Sequence, residues 1–120
     1  MNKFDLFKET LIFMGARSHM WHLTATSYSQ HIALGEFYEE ISDLTDAFVE
    51  GCTHYHGLVT PTGTGYSFET AERATEVLVN FLNLAKTVHT NLGDFPGLTN
   101  ILEDIMSLTE STLYKLRFLP

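Results

Sequence analysis

Residues 19–56 read HMWHLTATSYSQHIALGEFYEEISDLTDAFVEGCTHYH and hold five of the six histidines, the single Trp and the single Cys. Within them Leu34, Phe37, Ile41, Leu44 and Phe48 recur at steps of three and four, the stripe of an amphipathic α-helix. Ser27, with Gln30 three residues on, has the pattern of a capping box. The spacing therefore predicts a helix over about 28–55. Upstream, Thr24-Ala25-Thr26-Ser27 interrupts an earlier stripe of Phe4, Phe7, Leu11, Met14 and Trp21, with one stride missing at Ser18. That stripe predicts a first helix over about 2–23.

Downstream, GLVTPTGTG at 57–65 is the one obvious loop, rich in Gly, Thr and Pro. Ser67, or Thr70 as a later alternative, caps a third helix expected over 68–91, with the stripe Ala71, Ala74, Leu78, Phe81, Ala85 and Val88. Asn91-Leu92-Gly93 reads as its left-handed terminus. Asp94 and Pro96 open a fourth helix over 95–117, with Leu98, Ile101, Ile105, Leu108, Thr112 and Leu116 on one face. No strand-like alternation is present. Four amphipathic helices with short links predict a single all-α domain over 1–120, a four-helix bundle. The link at 56–67 reaches about 36 Å when extended, and a 24-residue helix is about 36 Å long. A crossover along the bundle and plain up-down-up-down packing are both open.

The totals exclude several classes. The net charge is −8 with no Lys/Arg cluster, which argues against nucleic-acid binding. No apolar run spans a bilayer, and the charged N-terminus lacks a signal-peptide pattern. One cysteine excludes an internal disulfide and suits a reducing compartment, so the expected location is the cytoplasm.

The second helix has another face, where His31, Gly35, Tyr38, Glu39, Ser42, Asp46, Glu50 and Thr53 lie away from the apolar seam. Solvation is the ordinary fate of such a face; the alternative is contact with a second copy of itself. His31 and Asp46 are about 22 Å apart along one helix and cannot share an ion within it. In an antiparallel pair of these helices, His31 of one chain faces the Asp46–Glu50 turn of the other. The two-fold axis then passes near residues 39–40, and two equivalent sites lie roughly 25 Å apart. Asp46 and Glu50, at i and i+4, both reach one ion, and mixed imidazole and carboxylate donors suit iron, manganese or zinc. His54, His56 and His89 read as helix-end residues, Cys52 as structural, and Glu36, Glu39 and Glu40 as a solvated run.

The order His19, His31, Asp46, Glu50 resembles the ferroxidase pattern of Dps-type mini-ferritins, in which two histidines of one subunit and an acidic pair of its neighbour hold iron. Residues 19–51 also look like the matching segment of small ferritin-like proteins of tailed phages, where His22 is the better-aligned first histidine. The resemblance implies a ferritin-like bundle, at least a homodimer, with His19, His22, His31, Asp46 and Glu50 as metal ligands. If enzymatic, it implies ferroxidase-type oxidation of Fe(II) or iron sequestration. Met20 after His19, where mini-ferritins usually carry Trp, and the short second link depart from the mini-ferritin pattern. The chain also lacks the basic tail those proteins use on DNA. The competing expectation is a non-catalytic phage accessory or virion protein that keeps the bundle for assembly, placed in the host cytoplasm or the virion.

Overall fold

Ser27 adopts an extended conformation (φ −111°, ψ 151°) and its Oγ accepts the Gln30 amide, so the chain enters its longest helix there. The computed structural model describes residues 3–120. Its helices are α1 (Lys3–Thr24), α2 (Tyr28–His56), α3 (Ala74–Asn91) and α4 (Pro96–Phe118), with a short 3₁₀ turn at Ala71–Arg73. The expected start of the first helix at Asn2 lies outside the described residues. Pro96 occupies the first turn of α4 and Gly93 has φ +87°, as the sequence implied.

Two helix starts differ from the first expectation. Helix α3 begins at Ala74 rather than 68, and the 3₁₀ turn that leads into it has Thr70, the later alternative, at its N-cap position, because Ser67 and Glu69 are engaged elsewhere. The Ser67 hydroxyl donates to Glu69 Oε2 at 2.6 Å, and Glu69 Oε1 accepts from Arg17 Nε at 2.9 Å and Trp21 Nε1 at 3.3 Å. Segment 67–70 is thereby tied to α1 instead of winding into a helix. At α4 the N-cap position is Phe95, not Asp94, with no side-chain cap bond.

Neighbouring helices are all antiparallel. Phe4 of α1 meets His56 at the end of α2, Thr45 Oγ1 donates to Leu11 O, and His22 meets His31 at the start of α2. Helix α4 begins beside the end of α2, where Phe95 touches Tyr55, and climbs until Lys115 Nζ reaches Glu36 at 2.8 Å. Helix α3 packs on α1 and α4, and α2 packs on α1 and α4, so α2 and α3 stand diagonally and run parallel. Residues 57–70 accordingly return along the whole of α1. They touch it at Glu9, at Phe13 through Tyr66, at Arg17 through Glu69, and finally at Thr24, whose hydroxyl accepts the Ala71 amide. The crossover left open by chain length is the one adopted. The result is a four-helix bundle with one long crossover.

The core forms around Phe7, edge-on to Phe48 at 5.7 Å and stacked on Phe81 at 5.6 Å, with Trp21 buried beside Phe37. Ser18 occupies the missing stride of the α1 stripe: it is fully buried, its hydroxyl donating to Met14 O at 2.7 Å. Cys52 is buried too, and desolvation pushes its thiol up to about 11 against a smaller pull from Lys8. Truncation of Phe48 to Ala should remove about 3–5 kcal/mol from the unfolding free energy measured in urea. Cys52 should resist alkylation at pH 8 in the native state and react only after denaturation, as read by mass spectrometry.

Candidate metal centre

The antiparallel α1–α2 pair brings residues far apart in sequence into one row. Nearest the turn, the rings of His22 and His31 stack with centroids 3.9 Å apart. One helical turn down, His19 stacks on Tyr38 at 4.3 Å, its ring 6.4 Å from that of His22. Next, Gly15 packs against Ser42, and beyond them Leu11, Ile12, Gly15, Ser42, Thr45 and Asp46 share a shallow depression. Glu50 follows Asp46 by one helical turn, and both carboxylates are exposed on α2.

His22 and His31 are held reciprocally. Nδ1 of His22 lies 2.7 Å from the His31 carbonyl oxygen, and Nδ1 of His31 lies 2.9 Å from the His22 carbonyl oxygen. A carbonyl oxygen only accepts, so each ring donates through Nδ1–H. In the neutral ring this fixes the tautomer and leaves the Nε2 lone pair as the free ligand atom, the second-shell arrangement that orients metal-binding imidazoles. Gly35 makes room for it: a Cβ there would sit 2.8 Å from His22 Cε1 and 2.9 Å from Nδ1.

Within one chain the expected donors fall into two separate groups. His19, His22 and His31 gather toward one end of the α1–α2 groove; Asp46 lies about 22 Å along α2 from His31 and about 12 Å from Tyr38, on which His19 stacks. Among the described residues no three His, Cys, Asp or Glu side chains are arranged to hold a metal ion. The donor chemistry fits a borderline divalent ion, but each group is only part of a coordination sphere.

A family model described as a family of unknown function (DUF5856) matches residues 22–116. The chain belongs to this family. No characterised protein and no solved structure matches it. The DUF5856 match opens at His22 and takes in His31, Asp46 and Glu50, whereas His19 precedes it.

The other histidines are accounted for by packing. His56 lies against Phe4 and Phe95, His54 is edge-on to Tyr55, and His89 Nε2 is 3.0 Å from Glu103 on α4. The paired carbonyl clasps and the stacking of His19 on Tyr38 were not expected from the sequence. The only advance signal was Gly35, a small residue one helical turn from His31 on the same face.

Two measurements test this geometry. Long-range 1H–15N correlation spectra should show Nδ1 protonated and Nε2 unprotonated in the neutral rings of His22 and His31. Gly35→Ala should displace the His22 ring and abolish that signature at His22, leaving the α3 and α4 amide resonances in place.

Proposed function

We propose that this DUF5856 protein assembles with itself through the α1–α2 side, as a homodimer or higher oligomer, and binds a divalent metal between subunits. His22 and His31 of one chain, with His19 beside them, supply the imidazoles, and Asp46 and Glu50 of the next supply the carboxylates. The single observation that carries the reading is the reciprocal Nδ1–carbonyl pairing, which holds two stacked imidazoles with their Nε2 atoms free. The one long crossover, a feature of ferritin-like bundles, and the antiparallel self-complementarity of α2 agree with it, since a two-fold axis near residues 39–40 sets His31 against the partner's Asp46–Glu50 turn.

Iron is the foremost candidate, with manganese and zinc as alternatives. Iron bound there would supply one-electron redox chemistry, with Fe(II) as the substrate or cargo. The protein's own residues orient the imidazoles, offer the carboxylate charge and bring the two halves together. A second reading, assembly without metal as an accessory or virion component, draws on exposed apolar residues of the same two helices: Ile12 in the α1–α2 depression, with Leu23, Tyr28 and Ile32 on α1 and α2.

Metal analysis of protein purified without chelator, with light scattering for mass, separates the two. An oligomer carrying metal is expected, and His31→Ala and Asp46→Ala should each lose the metal. Mixing and reannealing the two variants should restore binding at about a quarter of the sites, because half the dimers are mixed and each rebuilds one intact site. A metal-free monomer sinks the proposal, and a metal-free oligomer leaves the assembly reading. Fe(II) oxidation by the wild type that persists in His31→Ala would remove the redox role.

A further inference from the structure

The side of α1 away from the histidines carries a contact that the proposed metal site does not use. Glu9 is 5% exposed, and its carboxylate sits inside the Thr62-Gly63-Thr64-Gly65 segment of the crossover. Oε1 accepts the Gly63 amide at 2.9 Å. Oε2 accepts the amides of Thr62 at 3.2 Å, Gly65 at 3.2 Å and Thr64 at 3.4 Å, together with the Thr62 hydroxyl. Successive backbone N–H groups turned toward one anion make a nest, the geometry by which loops cradle oxyanions.

Both glycines of the segment are structural requirements. Gly63 has φ +79°, and a Cβ on Gly65 would lie 2.8 Å from Thr10 N and 2.9 Å from the Glu9 carbonyl carbon. Nearby charges have other partners. Lys8 lies 3.5 Å from Asp5 and over the Phe4 ring, Arg17 pairs with Glu69, and Arg73 at the start of α3 pairs with Glu76. Among the described residues no Lys or Arg forms an ion pair with Glu9. Tyr66 on the strap stacks edge-on to Phe13, and Cys52 on α2 is a buried neutral thiol. Among the described residues the negative charge of Glu9 is answered by neutral donors.

We propose that Thr62–Gly65 is a built oxyanion cradle whose resident ligand is the Glu9 carboxylate, and that this contact is an acid-released latch on the crossover. Charge-assisted hydrogen bonds are about twice as strong as neutral ones, so neutralising Glu9 weakens all of them together. A protonated carboxyl also turns a proton toward a ring of donors. The second attachment, at Glu69, joins Arg17 and Trp21 and lies nearer the α3 end. Release therefore begins at 62–65 and uncovers α1 around Glu9 and Thr10.

The sign follows from the hydrogen bonds. The Thr62 hydroxyl bond, opposed by burial and helped by the Gly63, Thr62 and Thr64 amides, holds the Glu9 carboxyl below its ordinary value of 4.5. The latch thus contributes fully above that value and is lost as pH falls through the lower folded-state value.

Residue-resolved hydrogen exchange on the full chain, corrected for the intrinsic pH dependence of exchange, tests this. In wild type the Thr62–Gly65 amides should be protected at pH 7. They should lose about ten- to a hundredfold of that protection in acid, before the α2 and α4 amides change. Glu9→Gln should show the low protection already at pH 7 with α2 and α4 intact. Glu9→Ala should regain protection on addition of formate, a small carboxylate able to enter the vacated cradle. Equal protection in wild type and Glu9→Gln overturns the latch. So does loss of protection at 62–65 only together with the whole bundle, in acid or in either variant. Failure of formate to restore Glu9→Ala overturns the cradle as an oxyanion site.

Discussion

The crossover at 57–70 has to return from the end of α2 to the far end of α1, and it runs its length fastened by two carboxylates, Glu9 and Glu69. The helix order depends on that fastening. With the strap in place α3 starts beside Thr24, runs antiparallel to α1, and stands diagonal and parallel to α2. A short turn would instead start α3 near His56 and reverse it. The strap is therefore not a passive connection, and its backbone amides find their partner in a side chain of α1 rather than in water.

Helix α1 is consequently packed on its inner face and along both flanks, while Ile12, Met20 and Leu23 stay exposed. Its inner face carries Phe7, Leu11, Met14 and Trp21, all fully buried. One flank meets α3 and the strap, and the other lies in the α1–α2 groove. Two close approaches fix that groove: Gly15 against the Ser42 hydroxyl and Gly35 beneath the His22 ring. Small residues here let the helices come close, while their polar groups find backbone acceptors. Thr45 reaches Leu11 O, and the two histidines reach each other's carbonyls. The same packing that holds the hairpin together thus sets the orientation of its imidazoles.

The helices were legible because apolar period alone gives them. Every residue of the α2 seam is buried except Leu44, which is half-buried, and the α3 stripe from Ala74 onward is buried throughout. In α4 the stripe was read partly out of phase. Leu102, Thr109 and Leu113 are buried, while Ile101, Leu108 and Leu116 lie at the edge of the core, because a helix facing both α2 and α3 buries a wider arc. Helix α3 starts later than a Ser67 cap implies because Ser67 bonds Glu69, whose carboxylate is held by Arg17 and Trp21, and local capping rules have no knowledge of either. Glu9 was invisible for the same reason: its donors lie more than fifty residues away, and nothing in the local pattern distinguishes it from a solvated glutamate. At the candidate site, spacing alone shows that His31 and Asp46 cannot share an ion within one chain, whereas the tautomer-fixing carbonyls are visible only in the folded hairpin.

The proposed self-assembly through α1–α2 gains from what two of the other long sides carry. The α1–α3 side is occupied by the strap. The α2–α4 groove presents Glu36, Glu40, Asp43 and Asp104 with Lys115, among the described residues, as the one cation lining it, so two copies meeting there about a two-fold axis would bring like charges together. Helices α1 and α2 instead offer exposed Ile12, Leu23, Tyr28 and Ile32, with imidazoles at one end and carboxylates at the other. An antiparallel two-fold sets those ends against each other, so each copy supplies the chemistry its partner lacks. A metal between them would then bridge chains rather than stabilise one, and its removal would act first on the association and only secondarily on the bundle, whose core lies on the opposite face of α2.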